Sequence, residues 1–467
     1  MSRESGHDGL TRRQLLKGAV AAGGALCAGA GPWARARGEV PLDAPALRKP
    51  NFVVILCDDL GYGDLGCFGH PAIKTPNLDR LAADGLRLTD CYAAAPVCSP
   101  SRAGLLTGRC PIREGIADWI PNNSPIHLKK EAVTVARLLK SAGYATCMAG
   151  KWHLSGKMDG SQPTPGDHGF DHWMATQNNA APSHHNPTNF IRNGQAVGRL
   201  EGYSSTLIVD EALRWLKGRK KDQPLFLFVA FHTSHEPVAT ADEFTRLYPD
   251  ADNPNRAIYY GNVTQMDHEV GRLLKTLDEP DLARETLVFF TSDNGPEILN
   301  RYAGAERSYG SPGPLRGMKL HVYEGGIRVP GILRWTGRAK AGQASDEPVS
   351  GVDVLPTLCE LAGAKAPDDR PIDGTSVAAL LDGKPVTRKT PLYWDYPKAI
   401  GGVKAALRDG PWKMLAAPPL DKLELYNLRS DASEKSGVGS SEPARVKAMA
   451  ETLQRKYNEV RGREPPA

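Results

Sequence analysis

The clearest indication of the fold is Asn51-Phe52-Val53-Val54-Ile55-Leu56-Cys57-Asp58-Asp59, in which a continuous apolar run ends in two neighbouring carboxylates. The run does not alternate apolar with polar residues, which is typical of a strand in a sheet that is covered on both faces. Other apolar runs rich in β-branched and aromatic residues have the same character, and they are Tyr144–Ala149, Leu225–Phe231 and Thr286–Ser292. We therefore predict that these runs are strands of one buried sheet.

Segments with helical periodicity lie between these runs, namely Pro76–Asp84, Glu131–Ala142, Thr206–Lys217 and Ile258–Leu277. Strands that alternate with helices predict an α/β fold with a mainly parallel sheet. The sequence from Ser155 to Gly202 is polar and rich in Gly, Pro, His and Asn, and we interpret it as loops that shape a substrate pocket.

Each predicted strand runs directly into polar side chains. Asp58-Asp59 follows the first strand, and Gly150-Lys151-Trp152-His153 follows the second. The third leads into His232-Thr233-Ser234-His235, and the fourth into Ser292-Asp293-Asn294-Gly295. Because ligands of open α/β sheets bind outside the carboxyl ends of the strands, we expect these side chains to form one site.

The C-terminal part of the chain has a different pattern. Residues 366–389 are rich in Asp, Pro and Gly, which indicates a boundary between a large domain at 48–370 and a subdomain at 385–462. Short runs after this boundary resemble antiparallel strands, followed by a helix, and they are Pro391–Tyr396, Ala405–Arg408, Trp412–Ala416, Leu423–Tyr426 and the helix Pro443–Val460.

The N-terminus has the pattern of a targeting signal. Thr11-Arg12-Arg13-Gln14-Leu15-Leu16-Lys17 is a twin-arginine sequence, a weakly apolar run follows, and Ala34-Arg35-Ala36 supplies a small-residue cleavage site. The sequence predicts a signal peptide at residues 1–36, the Tat export machinery as a partner, and a periplasmic or secreted protein. A disordered basic tail and a lipoprotein signal at Cys27 are the alternatives.

Composition excludes several classes of protein. The formal net charge of +5 includes a strongly basic signal, and without it no basic tract remains that would indicate nucleic acid as a partner. The eight cysteines have irregular spacings without a C-x-x-C pair, so a zinc site is not supported. One or two disulfides are possible in an exported protein, and their pairing cannot be read from the sequence.

Two longer motifs carry a resemblance to a known family. Pro96-Val97-Cys98-Ser99-Pro100-Ser101-Arg102 continues to a Leu-Leu-Thr-Gly tail, and Gly143-Tyr144-Ala145-Thr146-Cys147-Met148-Ala149-Gly150-Lys151-Trp152-His153 ends in G-K-x-H. Both resemble motifs of the formylglycine-dependent sulfatases, which include arylsulfatases and N-acetylgalactosamine-6-sulfatases. The resemblance extends from about Asn51 to Val460. It implies an alkaline-phosphatase-like fold, with a mixed, mostly parallel sheet between helices and a small C-terminal antiparallel sheet plus helix.

The resemblance implies that Cys98 is oxidised to formylglycine by a formylglycine-generating or an anaerobic sulfatase-maturating enzyme. A hydrated aldehyde carries two hydroxyls on one carbon, of which one attacks sulfur and the other lets the carbon expel sulfate. Pro100 can begin a helix whose N-terminus favours negative charge at residue 98. Arg102 either hydrogen-bonds the formylglycine hydroxyl or pairs with the acidic residues.

Other site residues are also implied by the resemblance. Lys151 and Lys319 bind sulfate oxygens, the latter from the segment before E-G-G-x-R-x-P. His153 is a candidate base for a hydroxyl proton. His235, rather than His232, contacts the sulfate and helps to protonate the leaving oxygen.

A divalent metal is expected beside residue 98. Asp58, Asp59, Asp293 and Asn294 offer oxygen ligands, and carboxylates this close would repel each other without a cation. Together with Cys98, this ligand set suits Ca²⁺, with Mg²⁺ as the alternative.

The resulting functional hypothesis is a sulfatase that hydrolyses sulfate esters of carbohydrates, with aryl sulfates as other possible substrates. A phosphonate or phosphodiester hydrolase of the same superfamily, and a non-catalytic binder of sulfated glycans, are the alternatives. Some aromatic and polar residues are candidates for the pocket wall, with an ordinary place in a loop as the alternative. They are Trp119, Asn122, His168, His172, His184, His185 and Trp394.

Overall fold

The structure is a computed structural model that describes residues 49–462 of the chain. The predicted signal at residues 1–36, with its alternatives, lies outside this range. The described strands are β1 Asn51–Cys57, β2 Leu86–Leu88, β3 Cys91–Tyr92, β4 Ala145–Lys151, β5 His172–Thr176, β6 Ile191–Arg192, β7 Gln195–Ala196, β8 Leu225–Ala230, β9 Thr286–Ser292, β10 Gly331–Trp335, β11 Gln343–Ser345, β12 Val349–Ser350, β13 Leu392–Asp395, β14 Ala405–Asp409, β15 Trp412–Ala417 and β16 Lys422–Asn427.

The α-helices within the described range are α1 Pro76–Ala83, α2 Cys98–Thr107, α3 Val135–Ser141, α4 Ser204–Lys217, α5 Asp242–Thr245, α6 Pro254–Leu277, α7 Glu324–Ile327, α8 Val354–Ala362 and α9 Pro443–Val460. The predicted helical segments correspond to α1, α3, α4, α6 and α9, whereas α5, α7 and α8 were not predicted. Helix α6 is capped by Asn253, whose side chain accepts a hydrogen bond from the Arg256 amide, and has Pro254 in its first turn.

A mixed, mostly parallel sheet forms the centre of the fold, as predicted. Its strand order is β11-β2-β10-β9-β1-β8-β4-β5-β6-β7. The four predicted strands β1, β4, β8 and β9 are parallel neighbours, whereas β10 runs antiparallel to both β9 and β2. The polar ends of these strands therefore meet at one edge.

Both faces of the central strands β1, β8 and β9 are buried, which explains their continuous apolar runs. Phe52, Val54 and Leu56 of β1 belong to one hydrophobic cluster, and the alternate residues Val53 and Ile55 belong to another. The first cluster includes apolar residues of α2, α3 and α8, and the second includes those of α4 and α6. Helices thus cover each face, and no alternation between apolar and polar residues is needed.

The interpretation of residues 155–202 as loops is wrong for one segment. His172–Thr176 forms β5, which pairs with β4 in parallel, and β6 and β7 extend the sheet beyond it. Trp173 and Ala175 are buried in the hydrophobic interior. The strand is short and its neighbours are polar, so its burial depends on β4 rather than on a recognisable local pattern.

A small antiparallel sheet with the order β13-β14-β15-β16 and the helix α9 form the C-terminal part, as predicted. Met449 and Leu453 of α9 pack with Leu407, Met414 and Leu425 of the sheet. The proposed boundaries at residues 370 and 385 stay a prediction.

The seven cysteines in the described residues are all free thiols, so none of the possible disulfides is present among them. Within this part of the chain, no helix has the length and apolar character needed to cross a membrane.

Candidate active site

The carboxyl ends of β1, β8 and β9 are tied together by backbone hydrogen bonds just beyond the sheet. The Asp58 amide donates to the Thr233 carbonyl at 2.8 Å, and the Asp293 amide donates to the Cys57 carbonyl at 3.0 Å. Asp59 adopts a left-handed φ of 61°, which costs a non-glycine residue about 1 kcal/mol or more. These bonds hold the acidic residues beside each other at the strand ends.

Helix α2 presents residue 98 to the acidic residues. Cys98 is the first residue of the helix, Pro100 lies in its first turn, and the Cys98 Sγ is 3.5 Å from Asp58 Oδ1. Gly104 lets the helix approach its neighbour, because a Cβ there would lie 2.5 Å from the Ala94 side chain. Burial raises the pKa of the Cys98 thiol well above its ordinary value, although Lys151 and Lys319 oppose this shift. Burial thus opposes ionisation of an unmodified thiol at this position.

Arg102 is engaged in a buried ion pair. Its Nε and Nη2 donate to Asp293 Oδ2 at 2.9 and 2.7 Å, and its Nη1 donates to the Lys151 carbonyl at 2.7 Å. Burial disfavours its charge, but Asp293 and Asp58 raise the pKa of Arg102. Of the two roles expected for Arg102, the described contacts are those of the pairing with acidic residues.

Two buried lysines approach the acidic residues from different segments. Lys151 Nζ, at the end of β4, lies 2.5 Å from Asp58 Oδ2, and Lys319 Nζ lies 2.7 Å from Asp59 Oδ2. The Lys319 amide donates to the Pro296 carbonyl at 2.9 Å, which fixes this segment beside β9. Burial opposes charge on Lys319, but Asp59 and other nearby acidic groups hold its pKa well above the ordinary value. The site can therefore present two ammonium groups to an anion.

The donor set fits a hard divalent cation. Ligand atoms of Asp58, Asp59, Cys98 and His235 all lie within 4.8 Å of one another. Asn294 Nδ2 donates to Asp59 Oδ1 at 2.7 Å, whereas its Oδ1 is buried and lacks a hydrogen-bond partner among the described residues. A buried carbonyl oxygen without a partner is costly, and coordination of a cation would satisfy it.

Asp293 differs from the other predicted metal ligands. Its Oδ2 accepts both hydrogen bonds from Arg102, and its Oδ1 accepts from the Asp59 amide at 3.2 Å. Burial, followed by the charge of Asp58, raises the pKa of Asp293 to about 7. The crowding of carboxylates expected from the sequence is thus present, while coordination by Asp293 stays a prediction.

Two histidines border the same cluster. His235 Nε2 is 3.7 Å from Asp59 Oδ2, and its Nδ1 is 2.6 Å from the Glu236 carbonyl. His153 Nε2 is 3.0 Å from the Ile120 carbonyl, and its buried Nδ1 lacks a hydrogen-bond partner within residues 49–462. If Nε2 carries the proton, Nδ1 of His153 is a free acceptor. Burial lowers the pKa of both imidazoles, further lowered by Lys151 at His153 and by Lys319 at His235.

Asn179 and Glu297 contact the site but were not predicted from the sequence. Asn179 Oδ1 is 3.4 Å from the Lys151 Nζ, and its Nδ2 is 3.2 Å from His235 Nδ1. Glu297 Oε2 is 3.4 Å from the Lys319 Nζ. Asn179 lies in the polar segment and has no local signal, whereas Glu297 lies close enough to Asp293-Asn294 to have been considered.

The remaining candidate residues are His232 and the residues considered for the pocket wall. His232 is buried, bonds Thr176 Oγ1 at 2.8 Å and packs on His184, with ring centres 5.0 Å apart. His168 and Trp394 are buried, and their assignment to the pocket wall stays a prediction. Among the other candidates for the pocket wall, His172 bonds Glu211. Trp119 is 45% exposed, and Asn122 and His185 are also exposed.

Comparison with known proteins establishes the family. The sulfatase family model matches residues 50–364, which includes every site residue described above. The chain belongs to the sulfatase family. A second model, N-sulphoglucosamine sulphohydrolase C-terminal, matches residues 318–463.

Named relatives of this sulfatase are sulfuric ester hydrolases. Human arylsulfatase A is 37% identical over 78% of this chain and 74% of its own length, and human N-acetylgalactosamine-6-sulfatase is 35% identical over 75% and 69%. The chain spans about two thirds of the curated relatives it matches, with 66% of mouse steryl-sulfatase at the lower end. The family resemblance seen in the sequence is therefore confirmed.

Solved structures confirm the alkaline-phosphatase-like fold of this sulfatase. Ps i-CgsB, solved in complex with k-i-k-neocarrahexaose, superposes with a TM-score of 0.77 and 30% identity over 88% of this chain and 92% of its own. A phosphonate monoester hydrolase of Agrobacterium radiobacter shares the fold at a TM-score of 0.64 and 20% identity.

Proposed function

We propose that this sulfatase hydrolyses sulfate esters of carbohydrates through a formylglycine derived from Cys98 and a bound divalent cation, which we assign as Ca²⁺. The observation that carries the proposal is the position of residue 98. Its side chain lies at the first turn of α2, 3.5 Å from Asp58 Oδ1 and within the cluster that includes Asp59 and His235.

The substrate anion is bound by the side chains of this chain. Lys151 and Lys319 are buried ammonium groups that neutralise sulfate oxygens, and their pairing with Asp58 and Asp59 holds them in place before substrate arrives. When present, the cation neutralises the carboxylates and polarises the sulfate, and the hydrated formylglycine offers a hydroxyl nucleophile. The low dielectric of a buried site strengthens each of these interactions.

Proton transfer is assigned to the two histidines and one lysine. His153 Nδ1 has no other hydrogen-bond partner in the described residues, and we propose that it takes the hydroxyl proton that must leave when sulfate is expelled. Lys319, which is held as an ammonium group, supplies the proton for the leaving alcohol, and His235 relays it. The contact of His235 Nδ1 with the Glu236 carbonyl at 2.6 Å orients its ring for this role.

Sulfated carbohydrates are the proposed natural substrates. One relative is named for N-acetylgalactosamine 6-sulfate, and one solved relative was crystallised with a neocarrahexaose. Aryl sulfates would serve as simple test substrates. A formylglycine-generating or anaerobic sulfatase-maturating enzyme is the proposed maturation partner. We further propose export by the Tat machinery, with removal of residues 1–36, to the periplasm or the medium.

Mass spectrometry of the tryptic peptide Leu88–Arg102 tests the proposal directly. In protein made with a maturation enzyme, we expect one thiol-bearing CH₂SH group to be replaced by CHO at Cys98. Cys91 lies in the same peptide and serves as an unconverted control. Peptide that contains only unmodified Cys98, when isolated from the native host, would contradict the formylglycine mechanism.

Two alternatives are separated by simple assays. The ratio of kcat/KM on an aryl sulfate to that on an aryl phosphodiester distinguishes a sulfatase from a phosphodiester or phosphonate hydrolase. Calorimetric binding of a sulfated glycan without release of sulfate would indicate a non-catalytic binder instead.

A further inference from the structure

Several exposed apolar side chains belong to chain segments that are hydrogen-bonded to residues of the candidate active site. Among residues 49–462, the large hydrophobic side chains that are at least about one third exposed are Trp119, Ile126, Leu247, Leu299, Tyr302 and Ile400. Four of them, at positions 119, 299, 302 and 400, lie on segments that are bonded to site residues. Exposed apolar groups on segments that support a polar site are candidates for contact with a ligand.

The bonds to the site are short and direct. Trp119 precedes Ile120, whose carbonyl lies 3.0 Å from the Nε2 of His153. The Ile400 amide donates at 3.0 Å to the carbonyl of the residue after Lys319. The backbone next to Trp119 and at Ile400 is therefore bonded to, or next to, the residues assigned to proton transfer and sulfate binding.

The turn after β9 carries Arg301, whose guanidinium is held in place by Glu297. Glu297 accepts hydrogen bonds from Arg301 Nε at 2.7 Å and Nη2 at 2.8 Å, while its Oε2 lies 3.4 Å from Lys319 Nζ. The Arg301 guanidinium lies over the Tyr302 ring, 5.0 Å from its centre. Burial raises the pKa of the Tyr302 hydroxyl, and the charges of Lys319 and Glu297 also act on it, so this ring borders the site.

The turn is held in one conformation by its own backbone. The Asn300 amide donates to the Ala305 carbonyl at 3.0 Å, and the Ala305 amide donates to the Tyr302 carbonyl at 3.0 Å. Arg301 is 36% exposed, and its Nη1 makes no hydrogen bond in the described part of the chain. A planar cation that is already positioned loses little conformational freedom when it binds an anion.

We propose that Arg301 and Tyr302 form a subsite for a second anionic group on the sugar that carries or neighbours the sulfate ester. This proposal rests on the proposed sulfatase function and narrows its substrate to polyanionic glycans. The ring of Tyr302 offers a face for a pyranose, and Arg301 offers a free N–H to a carboxylate or to a second sulfate. Lys319 and Arg301 are joined through Glu297, so the two anionic groups would bind on either side of this carboxylate.

Substrate selectivity tests the subsite. The probes are a monosulfated disaccharide whose neighbouring sugar is a uronate, and the same disaccharide with its carboxylate reduced to a hydroxymethyl group. We expect the wild-type enzyme to prefer the uronate, and R301Q to lower the ratio of kcat/KM between the two probes about tenfold, the effect of losing one charge-assisted hydrogen bond.

Arg256 provides a matched control. It is also 36% exposed, pairs with an acidic residue four positions away, Asp252, at 2.7 Å, and lies over the Tyr309 ring at 4.9 Å. R256Q should leave the selectivity ratio unchanged. An R301Q enzyme that loses activity equally on both disaccharides would overturn the subsite and leave only an indirect effect on Lys319. Failure of the wild-type enzyme to release sulfate from 4-methylumbelliferyl sulfate and from both disaccharides would count against the proposed function itself.

Discussion

Lys151 Nζ lies 2.5 Å from Asp58 Oδ2, and neither side chain has exposed surface. The ammonium belongs to the end of β4 and the carboxylate to the end of β1, and these strands are separated in the sheet by β8. Burial would raise the pKa of Asp58, but Lys151, His235 and Arg102 hold it well below its ordinary value. A buried carboxylate that stays ionised can serve both as a partner for the lysine and as a ligand for a cation.

Removal of the lysine should affect catalysis and stability together. K151M leaves Asp58 buried with one cationic partner fewer, which costs about 3–5 kcal/mol, and removes a sulfate-binding charge, which lowers kcat about 10²–10³-fold. Urea unfolding and aryl sulfate turnover measure the two effects. K130M is the control, because Lys130 pairs with Asp167 at 2.9 Å while 67% exposed. Equal behaviour of the two variants would contradict the assignment.

We expect conversion of Cys98 to formylglycine to be needed for turnover but not for folding. C98A should retain the wild-type Tm within a few degrees and lose essentially all sulfatase activity, because the variant cannot form the aldehyde. The comparison is C91A, which removes another buried thiol from the same tryptic peptide and should keep its activity. Substantial turnover by C98A would rule out the proposed nucleophile.

Removal of the metal should lower both activity and thermal stability. A cation bound to the native state alone at 100 times its Kd stabilises it by about 2.7 kcal/mol, so the Tm should fall after treatment with a chelator and recover with Ca²⁺. N294A removes the buried Oδ1 that has no partner in residues 49–462 and should reduce the Tm gain on adding Ca²⁺. A wild-type Tm that does not respond to Ca²⁺ or Mg²⁺ would argue against a metal at this position.

The ion pair of Arg102 should be specific for arginine. Its three nitrogens make separate bonds to Asp293 and to the Lys151 carbonyl, and a lysine has one nitrogen to replace them. We expect R102K to lower the free energy of unfolding by about 3 kcal/mol, because Asp293 stays buried without its bidentate partner. R80K tests an exposed pair with Asp84 and should change stability by less than about 1 kcal/mol.

A second buried cluster should make stability depend on pH. Lys413 Nζ lies 2.8 Å from Glu324 Oε1 and 2.9 Å from Glu434 Oε1, so one ammonium serves two carboxylates. Burial, with a contribution from the charge of Glu324, raises the pKa of Glu434 from 4.5 to about 7. Between these pH values the folded state holds a proton that the unfolded state has lost, so the free energy of unfolding decreases as pH rises.

In the variant E434Q, the free energy of unfolding should decrease less as pH rises. Urea unfolding at pH 5 and pH 7 would compare E434Q with wild type and with E451Q, which removes an exposed acidic residue on α9. The free energy of unfolding of the wild type should fall more between pH 5 and pH 7 than that of E434Q. An equal change in both proteins would contradict a protonated Glu434.

Local sequence predicted the central strands well, because burial on both faces makes their apolar runs continuous. Asn51–Cys57 and Thr286–Ser292 have the predicted bounds, and the motif residues Cys98 and Lys151 both contact Asp58 at the end of β1. The same reasoning missed His172–Thr176, whose place in the sheet depends on pairing with β4 rather than on its own composition. The position of Trp394 in the pocket wall stays a prediction, and its buried indole donates to the Ala93 carbonyl.

The family, the α/β architecture and the residue types at the strand ends could be predicted from the sequence, because they depend on short motifs and on local hydrophobic pattern. The pairing of the charges depends on the tertiary structure. Lys319 is far from Asp59 in the chain, and Asn179 contacts both Lys151 and His235 from a segment without a local signal. Such pairs form because the sheet brings distant segments to one edge, and burial there makes each unpaired charge costly.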